Sequence, residues 1–368
     1  MARATIRHVA EQAGVSTATV SRYLDGHRYI SGKTKRQVQQ ALKKTGYDAH
    51  NRYKGNGNQK RTDNVGLLLL KEQRDFLRLP LFSQFLLAFD EVLAEEGMHL
   101  VIAHVSQDLP LPRTVSSERM DGMVLVGDVQ VRPEWDLRNA IRVFGPVDGR
   151  FPSLPGTDVV TCDYVRGGWL AAAYLIERGH ERLGYLNPWP GHAELNMIGE
   201  AFRDYGRRSG CAVEILAPQA TSNGGVFSRD VLNPYRSGAI VDRLVAELLS
   251  LPGEARPTGL HVANDEVATL VYRSLAEHGV KVGEDVDIIS RDNEGLFLSQ
   301  LSPRPSSIEL GCREIARQAL NRILYHVSHP EAGHGLWTLV PPSVAEGEIV
   351  WQGGQASRLV VESVRMSD

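Results

Sequence analysis

Cysteine is scarce in this chain: Cys162, Cys211 and Cys312 are the three in 368 residues, far apart and without CxxC spacing. Such usage excludes a disulfide scaffold and fits a reducing compartment. Long apolar runs are missing as well. No stretch approaches the ~18 apolar residues of a membrane-spanning helix. The opening MARATIRHVAEQ lacks the apolar segment of a secretory signal. The expectation is a cytoplasmic protein with no membrane contact. Common catalytic signatures are absent too: no G-x-S-x-G, no P-loop, no G-x-G-x-x-G after a strand and no H-E-x-x-H. His326, His329 and His334 form an HxxH…H run, but no cysteine or paired carboxylate completes it, which favours a solvated loop over a metal site. The chain is expected to be no enzyme, with no catalytic residue, no metal and no cofactor.

What is present is a globular composition, 42% hydrophobic and 23% charged, with ample length for a core. At ~150 residues per domain, the length suggests two or three units. Charge is distributed unevenly. The net charge is −3, yet residues 1–62 hold thirteen Lys/Arg against three acids (Glu11, Asp25 and Asp48). The head is therefore about +10 and the remaining 306 residues about −13. A basic head on an acidic body predicts that the head alone meets a polyanion.

The head reads TIRHVAEQAGVSTATVSRYL over residues 5–24. Ile6, Val9, Ala10 and Ala13 share one helical face behind Thr5 as N-cap. Gly14 ends that helix and Val15 plugs the turn. Ser16 caps a second short helix, Thr17–Leu24, with Val20 and Leu24 inward. A third helix, Thr34–Thr45, offers Val38, Ala41 and Leu42 to the same core. Two helices joined by a tight glycine turn make a helix-turn-helix, whose second helix enters the major groove N-terminus first.

This stretch resembles the DNA-binding head of the lactose/galactose repressor (LacI/GalR) family of transcriptional regulators. The pattern T-I-x-x-V-A-x-x-A-G-V-S-x-x-T-V-S-R is met at every fixed position from Thr5 to Arg22. The resemblance implies base reading at Thr17 and Ala18, the first exposed positions of the second helix. Arg22 suits the O6/N7 edge of guanine. Thr5, Ser16, Thr19, Ser21, Ser31 and Thr34 carry short hydroxyls suited to phosphate oxygens; for Thr19 and Ser21 plain helix surface is the alternative. One recognition helix reads few base pairs, so the implied partner is pseudo-palindromic double-stranded operator DNA, bound by a homodimer.

The polar run DAHNRYKGNGNQKRTDN, residues 48–64, has the composition of a linker. In the resembling family it folds on DNA and wedges a Leu into the minor groove. Here Asn56 stands at that position between Gly55 and Gly57, so either the wedge is missing or Tyr53 takes its place. The expected domains are the helix-turn-helix over 1–48, a hinge over 49–63, an effector-binding and dimerisation body over 64–350, and a tail over 351–368. The tail has two glycines and no sustained heptad, so assembly is expected to stop at the dimer.

In the body, apolar runs alternate with helical periods. Strands are read at Val65–Leu70, His99–Val105, Met123–Val126, Leu183–Leu186, Val213–Leu216, Gly259–Ala263 and Val286–Ser290. Helices are read at Leu81–Glu96, Gly167–Arg178, 194–208, Ser237–Leu249 and Glu266–His278. This alternation predicts α/β architecture with parallel sheets. The family resemblance continues through RMDGMVL, LIERGHERLGYL, ANDEV and GVKVGEDVDIIS. It implies a fold similar to periplasmic sugar-binding proteins: two doubly wound parallel-sheet lobes, three crossovers and a ligand cleft between them. On that resemblance the N-lobe takes about 64–161 and 292–325, and the C-lobe about 162–291 and 326–350.

Ligands of open parallel sheets sit at the carboxyl ends of strands. Asp128, Asp163, Asn264 and Asp292 lie there, offering directional partners to sugar hydroxyls. The resemblance implies effector contact at Asn264 and Asp292. Helix capping is the alternative for Asn264 and for Asp163. Arg291 adds a cation, Arg74 lies in a loop beside the cleft, and Trp189, Phe227 and Tyr235 are candidates for stacking on a sugar ring. A sugar or sugar derivative is the expected effector, and an acidic sugar paired with Arg291 or Arg74 is one form of it.

Overall fold

The structure, a computed structural model, describes residues 6–24, 30–45, 61–70, 80–105, 115, 119–126, 137, 139–144, 157–190, 192–218, 234–333, 335–349 and 351. The head holds three helices, α1 (Ile6–Ala13), α2 (Thr17–Leu24) and α3 (Gly32–Thr45). Gly14 ends α1 at φ +64°, a conformation that costs a residue with a Cβ. The chain then turns back through Val15 N, which donates to Ala10 O at 3.1 Å. Ser16 Oγ accepts from Thr19 N at 3.1 Å, and Ser31 Oγ accepts from Thr34 N at 3.2 Å, so both following helices start on serine caps. Val9, Ala10, Ala13, Val20, Val38 and Ala41 close a small core of their own.

The body's first sheet is built from β1 (Asn64–Leu70), β2 (His99–Val105), β3 (Gly122–Val126), β4 (Ala140–Val143) and β5 (Asp158–Cys162). α4 (Pro80–Glu95) packs on it. Pro80 at the first turn of α4 costs nothing, because its missing N–H would be unpaired there anyway. Phe82, Phe85, Phe89 and Leu93 of α4 are buried, as their spacing predicts. The second lobe follows with α5 (Tyr164–Glu177), β6 (Arg182–Leu186), α6 (Ala193–Arg208), β7 (Ala212–Leu216), α7 (Pro234–Ser250), β8 (Gly259–Val262), α8 (Asp265–Glu277), β9 (Asp287–Arg291), α9 (Gly295–Leu298) and β10 (Ser306–Glu309). The chain then returns through α10 (Cys312–Ser328) and β11 (Trp337–Val340), and ends its described strands with β12 (Ser343–Ala345).

Each lobe holds one six-stranded sheet, in the orders β11-β5-β4-β3-β1-β2 and β12-β10-β9-β8-β6-β7. Every pairing is parallel except β10 with β12. Parallel strands covered on both faces explain why β3, β4, β5, β8 and β9 are buried along their whole length. The chain passes between lobes three times: after Cys162, after Leu310 and after Val340.

The lobe boundaries expected after Arg291 and at His326 are corrected here. β10 adds to the second sheet beside β9, with Ser306 opposite Ile289, while β11 adds to the first beside β5, with Trp337 opposite Val159. The return crossing therefore lies near residue 311 and the last one near 341. Each lobe is built on a six-stranded sheet, and nothing local marks which sheet a four-residue strand joins. Register with a distant strand settles it.

Candidate DNA-reading helix and ligand cleft

The first turn of α2 points outward. Ser16, Thr17 and Arg22 are exposed, while Val20 on the opposite face is fully buried. The hydroxyls assigned to phosphates are partly engaged with one another: Ser16 Oγ lies 2.8 Å from Thr19 Oγ1, and Ser31 Oγ lies 2.8 Å from Thr34 Oγ1. Ser16 and Ser31 thus hold the backbone starts of α2 and α3, and Thr19 and Thr34 brace them. The side chains of Ala18 and Ser21, and Thr5 and Tyr53 entirely, lie outside the described residues.

In the body, the strand ends converge on one cleft of about 870 Å³, its open mouth included. Pro80, Leu81, Phe82 and Phe144 line it from the first lobe. Tyr164, Trp189, His192, Glu194, Asn264, Glu266, Arg291, Asp292, Glu294 and Phe297 are among those lining it from the second. Four of the predicted residues are brought together: Trp189, Asn264, Arg291 and Asp292. Trp189 is held by its indole N–H, which donates to Ser237 Oγ at 3.3 Å, and by Asn187 Oδ1, which accepts from Trp189 N at 2.9 Å.

Asn264 serves as cap and wall at once. Its Oδ1 accepts from Val267 N at 2.9 Å, starting α8, while the residue lines the cleft. Asp163 takes only the capping role: its Oδ1 accepts from Arg166 N at 3.0 Å, and it is absent from the cleft lining. Asp128, Arg74 and Phe227 lie outside the described residues, as does the side chain of Tyr235.

Arg291 and Asp292 form the floor. Arg291 Nε lies 3.0 Å from Asp292 Oδ1, with both side chains nearly fully buried. Burial disfavours the guanidinium charge, but the Asp292 carboxylate together with Tyr164, Tyr185 and Cys162 outweighs it and holds the Arg291 pKa up. Arg291 is therefore already neutralised inside the protein, and the expectation that it would meet an acidic sugar does not fit this geometry. Asp292 and Asn293 have φ of +98° and +51°, two consecutive residues with side chains in the left-handed half of backbone space. Asp292 N donates to Ile308 O at 2.9 Å and Asn293 N to Ser307 Oγ at 3.0 Å, which holds them there.

Behind the floor, Asp265 is fully buried. It accepts from Glu294 N at 2.6 Å, from Ser307 Oγ at 2.9 Å and from Ser290 Oγ. Burial, with Asp292 nearby, pushes its pKa up to about 7. Glu194 goes the other way: burial raises it, but His192, 2.8 Å from its carboxylate, holds it below the usual range.

Sequence reasoning missed Phe82, Phe144, Tyr164, His192, Glu194, Glu266, Glu294 and Phe297. Tyr164, Glu266 and Glu294 lie one or two positions beyond residues already singled out at strand ends, so the same rule, extended by two residues, reaches them. Phe82 and Phe144 come from the other lobe and carry no local signal. His326 has no metal partner set: its Nε2 lies 2.8 Å from the buried Asp158 carboxylate, which also accepts from Arg322. Among the described residues no group of three or more His, Cys, Asp or Glu is arranged to hold a metal, and no helix is long and apolar enough to cross a membrane.

Residues 5–49 match the family described as bacterial regulatory proteins, lacI family, and residues 172–348 match the periplasmic binding protein-like domain. Over 338 residues the chain is 25% identical to the HTH-type transcriptional repressor PurR of Haemophilus influenzae (strain PittEE), covering 90% of this chain and 93% of that protein. Over 353 residues it is 25% identical to the ribose operon repressor of Escherichia coli (strain K12), covering 94% and 99%. Among solved structures it is similar to a complex of the transcriptional regulator CelR with cellobiose, with TM-score 0.57 and 18% identity over 94% of this chain and 100% of that one. It is also similar to the lac repressor dimer bound to operator and the anti-inducer ONPF, with TM-score 0.55 and 19% identity over 95% and 100%. Head, body and relatives together define a transcription regulator of the helix-turn-helix type with a two-lobed body. Its head matches the lacI family of bacterial regulatory proteins and its body the periplasmic binding protein-like domain, each over its own span.

Proposed function

We propose that this protein is a transcriptional repressor that holds operator DNA as a homodimer and releases it when a small molecule of the sugar class fills the cleft. The observation that carries the reading is the coexistence, in one chain, of an exposed, serine-capped α2 on a basic head and a cleft shared by two lobes. Thr17, Ala18 and Arg22 face bases, Ser16, Ser31, Thr5 and Ser21 face phosphates, and Tyr53 serves the minor groove. Trp189, Asn264, Asp292 and the residues around them take the effector, and the protein works in the cytoplasm beside its DNA. Relatives named as repressors support the sign of control. The test is selection of duplexes from a randomised pool by the full-length chain. A pseudo-palindrome retained by a species of twice the chain mass is the expected product. A product without two-fold symmetry, or none above random, would reject the reading.

A further inference from the structure

The cleft is more acidic than a ligand made of hydroxyls alone requires. Glu194, Glu266, Asp292 and Glu294 line it against one guanidinium, Arg291, and one imidazole, His192. Two of these acids are already matched, Glu194 by His192 at 2.8 Å and Asp292 by Arg291 at 3.0 Å. Neither Glu266 nor Glu294 forms an ion pair among the described residues. Glu294 is only 6% exposed, and its Oε1 has no hydrogen-bond partner among the described residues. A buried oxygen left unmatched is costly, and a ligand donor would remove that cost. Burial raises the pKa of both, that of Glu294 to about 7 against an opposing hydrogen bond from Gln84, with Asp292 and Asp265 adding to the rise. The rest of the lining is aromatic: Phe82, Phe144, Tyr164, Trp189 and Phe297.

An anion entering here meets carboxylates, and the one guanidinium and one imidazole of the described lining each already face one. A ring bearing a cation meets two acids with no ion-pair partner among the described residues and several aromatic faces, which attract cations as well as rings. Resting on the reading of this cleft as the effector site, we propose that its ligand is a ring compound carrying a protonated amine, with the ammonium taken by Glu266 and Glu294 and the ring packed among the aromatic walls.

Three probes of one shape and different charge decide the matter: benzylamine, benzyl alcohol and benzoate, each titrated at millimolar concentration. The readout is fluorine NMR of the full-length chain carrying 5-fluorotryptophan, with the Trp189 signal assigned from Trp189→Phe. Benzylammonium is expected to bind about tenfold more tightly than the alcohol, equivalent to ~1.4 kcal/mol, with no response to benzoate. In Glu266→Gln/Glu294→Gln the amine should fall to the level of the alcohol. If that double variant melts early, Glu266→Gln alone, on the less buried of the two residues, should remove part of the preference. Benzoate binding as well as the amine, or an amine preference that survives the glutamines, overturns the charge assignment and leaves the cleft as the effector site. A Trp189 signal unmoved by all three removes the cleft itself as a ligand site, and both readings fall.

Discussion

Gln84 and Asp292 meet across the cleft: the Gln84 side-chain amide donates to the Asp292 backbone carbonyl at 3.4 Å, and equally to that of Asn293. Gln84 belongs to α4 of the first lobe, while Asp292 and Asn293 are the positive-φ pair at the end of β9 in the second. Positive-φ conformations of this kind cost roughly 1–3 kcal/mol each and persist where neighbours hold them. The contact ties the lobe arrangement to the cleft floor. Removing it with Gln84→Ala should shift the balance between lobe arrangements by about 1 kcal/mol, the net worth of a neutral hydrogen bond. A pair of fluorophores, one on each lobe, should report the shift without ligand. An unchanged distance distribution would show that Gln84 carries no coupling.

Arg22 is exposed on α2, on the side away from buried Val20. Arg22→Ala should cost ~1–3 kcal/mol of operator affinity and relax preference at one base of each half-site. Fluorescence anisotropy across single-base operator variants measures both quantities. Equal losses on every variant would make Arg22 a phosphate contact instead.

Asn264 allows its two roles to be separated. Asn264→Ala removes the cap of α8 and should cost ~1 kcal/mol, whereas Asn264→Ser keeps an oxygen in place for Val267 N and should cost little. Both variants lose the side-chain amide from the cleft. Urea melts should therefore distinguish them, while the Trp189 response to cleft probes should weaken in both. If Ser restores that response along with stability, Asn264 is a cap and nothing more.

Asp158 anchors α10 to the first sheet through Arg322, His326 and the backbone N–H groups of Gly335 and Leu336. Burial opposes its charge, yet these donors outweigh burial and hold its pKa below the ordinary carboxylate range. A lowered folded-state pKa gives stability that is present above the unfolded value near 3.8 and is lost as pH falls through the folded one. Asp158→Ala strands buried His326 and half-buried Arg322 and should cost ~3–5 kcal/mol at neutral pH. The difference between wild type and variant in urea should shrink as the pH drops below the carboxylate range. A constant difference would mean the carboxylate is not charged in the native protein.

Residues 353–368, with Gly353 and Gly354 at their start, lie outside the described residues. Their sequence carries no sustained heptad of the kind that joins helices in a coiled coil. Deleting them should leave the mass in solution at that of a dimer, as read by sedimentation equilibrium. Loss of half that mass on deletion would place the subunit contact in the tail.

The helices of the head were legible from sequence almost to the residue, because their determinants are local: a glycine at a left-handed turn, serines at two caps, apolar residues at helical spacing. The same holds for β2 and α4, where one continuous run of side chains decides the element. Local reasoning also found Trp189, Asn264, Arg291 and Asp292, since all follow the carboxyl ends of strands. Which sheet β10 and β11 join depended on pairing with β9 and β5, across intervals no pattern spans. That Phe82 and Phe144 line the cleft opposite the second lobe was decided by the packing of one lobe against another, and that Arg291 turns inward to Asp292 by burial inside the second lobe. Sequence by itself determined the elements and the DNA-reading helix, because backbone propensity and side-chain periodicity act over a few residues. Tertiary structure alone decided the charge and walls of the cleft, because these arise where distant strand ends meet and burial selects which charges remain unmatched.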